Sequence, residues 1–310
     1  MSGLPGRVVV FAYHDIGVRG LSVLLALGVD IRLVVTHVDD PAEAIWFSSV
    51  SELAALNDIP VITPPDPNAV EVIEQVRACR PDVLFSFYYR HLLGAELLEI
   101  ASIGAYNLHG SLLPKYRGRV PVNWAVLQGE TETGVSLHRM EIKPDAGALL
   151  DQQAVAILPN DTAQMVFRKV TCAAEQLLLR CVPLLLLGRA RETVLDLSAG
   201  SYFGGRRPED GRIDWCKPAR EIHNLIRAVA PPYPGAFFDV RGVRLQVLGS
   251  YNRDRPALGR APRLYWQNGH CHADCVDGRQ LDLTALAVAG EPLHEQDFRA
   301  RFGTAELDLA

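Results

Sequence analysis

The chain has 310 residues, of which 48% are apolar, and its formal net charge is −5. A chain of this length can bury a large core, and two domains are expected. The acidic balance disfavours a nucleic-acid partner, because such proteins neutralise phosphates with clustered Lys and Arg. Residues 177–187 form an apolar run that is too short to span a bilayer and is interrupted by Arg180 and Pro183.

Short apolar runs alternate with amphipathic segments over the first 90 residues. Four runs are predicted to be buried strands: 8–12, 31–36, 61–62 and 83–87. Three segments are predicted to be helices, 21–27, 50–56 and 70–79, and His14–Gly17 is predicted to be a loop. This alternation predicts an α/β fold with a Rossmann-like, mostly parallel sheet and flanking helices. Because Gly-x-Gly-x-x-Gly does not follow the first strand, we expect no dinucleotide cofactor.

A polar pair stands at the end of the next predicted strand, 103–109. The strand period of two sends Asn107 and His109 to the same side, so a hydrogen-bond donor and a titratable base face one cavity. An isolated pair of this kind is more often an ordinary strand end, with the imidazole bonded to a backbone carbonyl. The pair therefore needs further support before it indicates a site.

Asp145 supplies that support. It lies between two predicted strands, 134–140 and 148–157, in a loop bounded by Pro144 and Gly147. A carboxylate in such a loop is more readily exposed for function than one inside a strand. The alternative is an ordinary turn aspartate.

The second half of the chain changes in composition. A helix is predicted from Thr162 to about Leu187, with Asp161 and Gln164 at capping-box spacing. Beyond it we predict a helix at 218–229 and short strands at 236–286. The predicted division is a catalytic domain at 1–190, a linker at 191–205 and a smaller β-rich domain at 206–310.

The cysteines and the N-terminal residues predict the cellular compartment of the protein. The six cysteines show neither a disulfide-like nor a zinc-ribbon rhythm, so reduced thiols are expected. The cluster His270–Cys275 resembles a metal clip, but adjacent ligands rarely suit tetrahedral zinc, so we predict a β-turn and no metal. Residues 1–6 lack the basic cluster of a signal peptide, and a cytoplasmic location is expected.

The motif Asn-Leu-His-Gly-Ser-Leu-Leu-Pro-Lys-Tyr-Arg-Gly at 107–118, followed by Asp-Ala-Gly at 145–147, resembles the folate-dependent formyltransferases. Within that family the UDP-4-amino-4-deoxy-L-arabinose formyltransferases are the most similar. That likeness rests on five segments: 9–15, 85–91, 129–135, 203–207 and 227–230. It covers both halves of the chain, thins out after about Tyr251, and implies that the smaller β-rich domain at 206–310 is a small OB-like barrel.

The resemblance implies specific site residues. The catalytic trio corresponds to Asn107, His109 and Asp145. The residues implied for 10-formyltetrahydrofolate are His91, Leu92, Leu93, Arg119, Glu141, Ile142, Lys143, Pro144 and Asp145, and the Lys143-Pro144 pair departs from the family pattern. Tyr13, Arg206 and Arg207 are candidates for substrate binding. The two arginines are candidates for holding the diphosphate, since guanidinium groups match phosphate oxygens. The alternative for the two arginines is a solvated surface pair.

The trio suits attack of a primary amine on a formyl carbon. Asn107 can donate a hydrogen bond to the carbonyl oxygen as that oxygen gains negative charge, and a protonated His109 can add a charge-assisted one. His109 can also carry the protons that the amine loses and the leaving nitrogen gains. We expect Asp145 to raise the pKa of His109 through charge rather than burial.

The resemblance implies transfer of a formyl group from 10-formyltetrahydrofolate to a nucleotide-linked amino sugar. UDP-4-amino-4-deoxy-L-arabinose is the expected acceptor, with lipid A modification and polymyxin resistance as the context. The enzyme is expected to act as a stand-alone transferase on small molecules, without nucleic acid or membrane insertion. Methionyl-tRNA formylation is the alternative, disfavoured by the net charge and by the acidic segment 36–50. An inactive folate- or nucleotide-binding relative and a hydrolase that releases formate are also retained as alternatives.

Overall fold

The computed structural model describes residues 4–41, 43, 45–259 and 262–309. Part of the N-terminal segment that was examined for a signal peptide, Met1–Gly3, lies outside the described residues, as do Ala42 and Ala44 of the acidic segment. The strands are β1 Arg7–Ala12, β2 Asp30–Val35, β3 Val61–Ile62, β4 Val83–Phe87, β5 Gly104–His109, β6 Arg117–Gly118, β7 Glu132–Arg139, β8 Leu149–Ala156, β9 Tyr202–Phe203, β10 Ala236–Val240, β11 Val243–Pro256, β12 Arg263–Gln267, β13 His270–Asp274, β14 Arg279–Val288, β15 Glu291–Pro292 and β16 Glu306–Asp308. The helices are α1 His14–Ala26, α2 Val50–Ala55, α3 Val70–Ala78, α4 Ala95–Leu98, α5 Pro121–Leu127, α6 Ala163–Leu186, α7 Ala219–Val229 and α8 Glu295–Phe302.

The first sheet has the strand order β3-β2-β1-β4-β5-β7-β8. The first five strands in this order, from β3 through β2, β1 and β4 to β5, are parallel to one another, and β7 runs antiparallel to β5. The central strands β1 and β4 are almost wholly buried, because helices cover both faces of a parallel sheet. The predicted α/β class with a mostly parallel sheet is confirmed.

Helix α1 begins at His14, so the prediction of a loop at 14–17 was wrong. Gly17 and Gly20 lower the intrinsic helix propensity of this segment, which is why the sequence favoured a later start. The structure needs a glycine here: a Cβ on Gly20 would lie 2.6 Å from the ring of Phe87. Close packing of α1 on β4 therefore outweighs the loss of propensity.

The chain divides into two compact units that are discontinuous in sequence. The first contains residues 1–121, 133–155 and 168–204, and the second contains 122–132, 156–167 and 205–310. Residues 191–204 of the predicted linker 191–205 belong to the first unit, where β9 pairs with β6 and Thr193 bridges Leu149. The sequence did not indicate the two short insertions of the second unit.

The second unit contains an antiparallel sheet in the order β10-β11-β14-β13-β12-β16, which forms a half-barrel. Its core includes Trp215, Phe238 and Phe298. The prediction of a β-turn at His270–Cys275 was wrong, because His270–Asp274 form strand β13 between two partners. Within the described residues no group of three or more His, Cys, Asp or Glu could hold a metal ion. All six cysteines are free.

A buried arginine on α7 holds the inserted segments of the second unit. Arg227 is 5% exposed. Its guanidinium donates to the carbonyl oxygens of Val126 at 3.3 Å and Asp161 at 3.0 Å, and to Oδ1 of Asn224 at 2.9 Å. Val126 and Asp161 lie in the two insertions, so one side chain joins three separate stretches of sequence.

We expect Arg227→Met to lower the free energy of unfolding by about 2 to 3 kcal/mol, because several buried acceptors lose their donor at once. Urea denaturation measures this difference. Arg220→Met is the matched control, since Arg220 lies on the same helix but is exposed. Equal stability of the two variants would show that the buried hydrogen bonds contribute nothing net.

In the described part of the chain, no helix is both long enough and apolar enough to cross a bilayer. The longest helix, α6, carries charged residues along its length and contains Pro183. Its N-terminus is capped by Thr162, whose Oγ1 accepts from the amide of Met165 at 3.3 Å. The carboxylate of Asp161, predicted to cap this helix, accepts from the amide of Leu158 at 2.7 Å.

Candidate active site at the end of strand β5

Strand β5 carries the polar pair, and its neighbour β7 adds a second imidazole. Asn107 is directly opposite His138 in the antiparallel pairing of β5 with β7. Ala105, Asn107 and His109 share one face of the sheet, because side chains alternate along a strand. Residues 140–148, which join β7 to β8, bring Asp145 to this same place.

His109 is buried, and its two ring nitrogens have different partners. Nε2 lies 2.8 Å from the carbonyl oxygen of Tyr116, which can only accept, so Nε2 donates. Nδ1 lies 3.4 Å from Oδ1 of Asp145. The same carboxylate oxygen lies 3.5 Å from Nε2 of His138. Asp145 is therefore within reach of two imidazoles.

Asn107 is held by His138. The Nδ2 atom of Asn107 lies 3.2 Å from Nε2 of His138, and Nδ1 of His138 lies 2.8 Å from the carbonyl oxygen of Arg139. Because that carbonyl accepts, Nδ1 carries the proton of the neutral imidazole and Nε2 can accept from Asn107. The amide orientation of Asn107 thus depends on the tautomer of His138.

Backbone geometry fixes the carboxylate. The amide of Gly118 donates to Oδ2 of Asp145 at 2.8 Å. Asp145 has φ of 52°, a left-handed conformation that Asp tolerates better than most residues. Gly118 has φ of +96°, and a Cβ there would lie 2.2 Å from the carbonyl oxygen of Phe203. A glycine is therefore required beside the carboxylate.

Burial and charge act in opposite directions on His109. Burial lowers the pKa of its imidazole, and this effect outweighs the nearby charge of Asp145 and the hydrogen bond to Tyr116, both of which raise the pKa. The expectation that Asp145 gives His109 a raised pKa was therefore wrong in its net direction. With 7% of the side chain exposed, the desolvation cost of an imidazolium exceeds the attraction of one carboxylate.

Asp145 is ionised at neutral pH. Burial acts to raise the pKa of its carboxyl group, but the imidazoles of His109 and His138 and the amide of Gly118 outweigh burial and hold the pKa at about 2. The site therefore holds a carboxylate beside an imidazole whose neutral form is favoured. A neutral imidazole can accept a proton from an attacking amine.

The sequence interpretation missed His138. Its position in the predicted strand 134–140 indicated only a buried residue, and its relation to Asn107 depends on the register of β7 against β5. A signal was present, since a histidine inside a strand that is predicted to be buried needs a polar partner. The sequence alone did not identify that partner.

Except for Arg119, the residues implied for folate lie in two segments, 91–93 and 141–145, which contain or adjoin members of one core cluster. Leu93 is buried in a core cluster with Ala105, which shares a face with Asn107 and His109. Met140, which precedes the 141–145 loop, packs against that cluster. Leu92 and Ile142 are 70% and 66% exposed, so each segment presents an apolar side chain to solvent. The other residues of this set are exposed at His91, Arg119, Glu141 and Lys143 and half-buried at Pro144 and Asp145.

The three substrate candidates have different surroundings. Tyr13 is buried, and its hydroxyl donates to Oδ1 of Asp39 at 2.6 Å. Arg206 belongs to the second unit and donates to Oδ1 of Asn123 at 2.7 Å and to the carbonyl oxygen of Asp210 at 2.9 Å. Arg207 is exposed, and its amide donates to Asp210. The guanidinium of Arg206 is therefore partly occupied by structural hydrogen bonds.

Solved structures share this fold. An N-formyltransferase from Helicobacter canadensis is 21% identical, with a TM-score of 0.74 over 89% of this chain and 98% of that chain. A sugar N-formyltransferase from Shewanella sp. is 18% identical, with a TM-score of 0.61 over 78% of this chain and 96% of that chain. HypX from Aquifex aeolicus is 16% identical, with a TM-score of 0.65 over 96% of this chain and 47% of that chain.

Family models match both parts of the chain. The model described as formyl transferase matches residues 24–182, more than half of the chain. The model described as formyl transferase, C-terminal domain, matches residues 206–284. The first match includes the polar pair of β5, His138 and Asp145. With an amide, an imidazole and a carboxylate meeting inside the matched region, the chain belongs to the formyl transferase family and is a formyltransferase.

Proposed function

We propose that this enzyme transfers a formyl group from 10-formyltetrahydrofolate to the primary amine of a nucleotide-linked amino sugar. The Helicobacter canadensis enzyme is described in complex with folinic acid and dTDP-3-aminofucose. WlaRD, 19% identical with a TM-score of 0.72, is described as a sugar 3N-formyl transferase in the presence of dTDP and 5-N-formyl-THF. HypX is described in complex with tetrahydrofolic acid. These ligands support folate as donor and a nucleotide sugar as acceptor.

The observation that carries the proposal is the meeting of Asn107, His109 and Asp145 within hydrogen-bonding range of one another or of His138. The donor supplies an activated formyl carbon. Asn107 is the neutral donor for the formyl oxygen as it gains charge, and His109 accepts the proton of the attacking amine. Asp145 stabilises the imidazolium that results, and His109 passes that proton to the folate nitrogen as the bond between that nitrogen and the formyl carbon breaks.

His109 must release one contact to reach a substrate. In the structure its Nε2 donates to the carbonyl of Tyr116, while its Nδ1 faces Asp145. A carboxylate holds an imidazolium more strongly than a neutral carbonyl does. We therefore assign proton exchange with substrate to Nε2: the single proton of the neutral imidazole moves to Nδ1, where it donates to Asp145, the Tyr116 contact opens, and the unprotonated Nε2 accepts the proton of the amine.

The exposed Leu92 and Ile142 suit the apolar ring system of the folate donor. Both side chains belong to segments that the resemblance assigns to folate, and ligand sites are lined mainly by apolar groups. The backbone of residues 141–145 is then available for the polar edge of that ring. Arg119 and Lys143 are exposed cations for the negatively charged end of the donor.

UDP-4-amino-4-deoxy-L-arabinose is our proposed acceptor, on the strength of segments 9–15, 85–91, 129–135, 203–207 and 227–230. The product then serves lipid A modification and polymyxin resistance, in the cytoplasm as the sequence predicts. We keep Tyr13, Arg206 and Arg207 as proposed contacts with this acceptor. The net charge of −5 argues against initiator tRNA.

A panel of amine acceptors tests this proposal. The enzyme is incubated with 10-formyltetrahydrofolate and one acceptor at a time, and mass spectrometry follows the gain of one formyl group. We expect formylation of UDP-4-amino-4-deoxy-L-arabinose and none of charged initiator tRNA. Release of tetrahydrofolate without any acceptor would instead indicate hydrolysis. No release under any condition would indicate a binding protein.

His138→Leu should lower kcat about tenfold with little change in KM, because Asn107 loses the contact that orients its amide toward the reacting oxygen. His138→Gln should recover most of this loss, since its amide oxygen can accept from Asn107 as Nε2 does. Steady-state kinetics of both variants measures the effect. Equal activity of the Leu variant and the wild type would remove His138 from a positioning role.

A further inference from the structure

A second polar cavity lies at the carboxyl ends of β1, β2 and β3. It has a volume of about 230 Å³. Its walls include two aromatic rings, an imidazole, a carboxylate and several hydroxyl groups, among them Tyr13, Phe47, His37, Asp39, Ser49 and Thr63. Ligands of open α/β sheets collect at this edge of the sheet. None of the groups of the catalytic trio lines this cavity.

The walls are held by contacts of their own. The hydroxyl of Tyr13 donates to Oδ1 of Asp39 at 2.6 Å. The ring of His37 stacks on Tyr89 with centroids 4.2 Å apart, and the rings of Tyr13 and Phe47 pack edge to face with centroids 5.1 Å apart. The amide of Ser48 donates to Oδ1 of Asp15 in the first turn of α1 at 3.0 Å. The cavity is thus a built feature of the first unit.

Size and charge exclude most ligands. Pockets for whole drug-sized ligands hold about 300 to 1,000 Å³, so this cavity takes one ring and not a complete nucleotide sugar. Asp39 contributes a negative charge, and the nearby cation, Arg90, is paired with Glu43 through two contacts of 2.7 Å. Burial lowers the pKa of His37 to about 4, so His37 adds no positive charge at neutral pH. A phosphate group is therefore disfavoured here.

The cavity lies away from His109, where the reacting amine of the substrate must be placed. Strand β1 and strand β5 are separated by β4, which at about 4.8 Å per strand places their ends about 10 Å apart. The amine-bearing ring of a substrate cannot fill the cavity while its amine lies at His109. The other end of a nucleotide sugar, across the diphosphate, can extend this far.

We infer that the cavity binds the ribose of the nucleotide sugar, with Asp39 accepting from its hydroxyl groups and the aromatic rings beside the sugar or base. This inference depends on the proposed function. In dinucleotide-binding folds an acidic residue after the second strand binds ribose hydroxyls in the same way. Asp39 follows β2, one of its oxygens is fixed by Tyr13, and no described residue donates to Oδ2. Asp39 then distinguishes a ribonucleotide from a deoxyribonucleotide.

Titration calorimetry with UMP and dUMP on the full chain tests the inference, because the two probes differ only at the 2′ position. We expect UMP to bind about tenfold more tightly than dUMP, as a charge-assisted hydrogen bond allows. Asp39→Asn should reduce this ratio to about twofold, and should raise KM for the nucleotide sugar about tenfold while kcat stays within about twofold. Asp39 is exposed, so this variant is expected to fold.

Asp40→Asn is the matched control, because it makes the same charge change at the next residue, which does not line the cavity. Equal binding of UMP and dUMP by the wild type would overturn the inference and leave the proposed function intact. A ratio of UMP to dUMP affinity that is the same in Asp39→Asn as in the wild type would likewise overturn the inference and leave the proposed function intact. Absence of binding for both probes, together with no formylation of any nucleotide sugar, would overturn the proposed function as well.

Discussion

Replacing Asp145 with Asn is expected to lower kcat by about two to four orders of magnitude, the scale on which acid–base groups contribute. The substitution keeps the size of the side chain and an oxygen for the amide of Gly118, but it removes the charge 3.4 Å from Nδ1 of His109. The imidazolium formed when His109 accepts a proton then has no counter-charge in a buried site. Single-turnover kinetics measures the loss.

Asp58→Asn is the matched control for this experiment. Asp58 is an exposed aspartate with φ of 56°, close to the 52° of Asp145, so the same chemical change is made on a similar backbone. We expect full activity from the control and an unchanged melting temperature for both variants. Wild-type turnover by Asp145→Asn would exclude the carboxylate from the mechanism.

The pH dependence of kcat/KM gives a second measurement on the same pair. Because burial lowers the pKa of His109, the neutral base form persists below the ordinary imidazole value of about 6.5, and activity should be lost only at lower pH. Asp145 opposes this shift, so Asp145→Asn should move the acid limb to still lower pH. An acid limb above 6.5 in the wild type would show that charge, and not burial, determines the pKa.

His109→Ala should be as severe as the loss of Asp145, and the double variant should be no worse than the more severe single variant. Residues that act as one unit are not additive, since the carboxylate has no imidazole to stabilise once His109 is gone. Rates of both single variants and of the double variant complete the cycle. Losses that add on a logarithmic scale would assign the two residues separate roles.

Stability must be measured beside these rates. His109 is buried, and its removal leaves the carbonyl of Tyr116 without its donor, which costs about 1 to 3 kcal/mol. Urea denaturation of each variant shows whether the enzyme remains folded at the assay temperature. A variant that is folded and inactive supports a chemical role, and one that is unfolded is replaced by His109→Asn for the same cycle.

The sequence predicted the strands that depend on local composition. The apolar runs 8–12 and 83–87 became the central strands β1 and β4 within one residue, because a parallel sheet covered on both faces requires uninterrupted apolar residues. The start of α1 at His14 was missed, because the contact of Gly20 with Phe87 joins residues far apart in sequence. Local propensity contains no information about that contact.

The sequence by itself determined the family, because the string at 107–118 and the Asp-Ala-Gly at 145–147 are local patterns that can be recognised without knowing any tertiary contact, and it proposed Asn107, His109 and Asp145 as the site. Only the tertiary structure decided that His138 holds Asn107, through the register of β5 and β7, and that burial lowers the pKa of His109 despite Asp145. Register and desolvation both depend on what surrounds a residue in space. Because these surroundings come from segments that are distant in the chain, no single stretch of sequence specifies them.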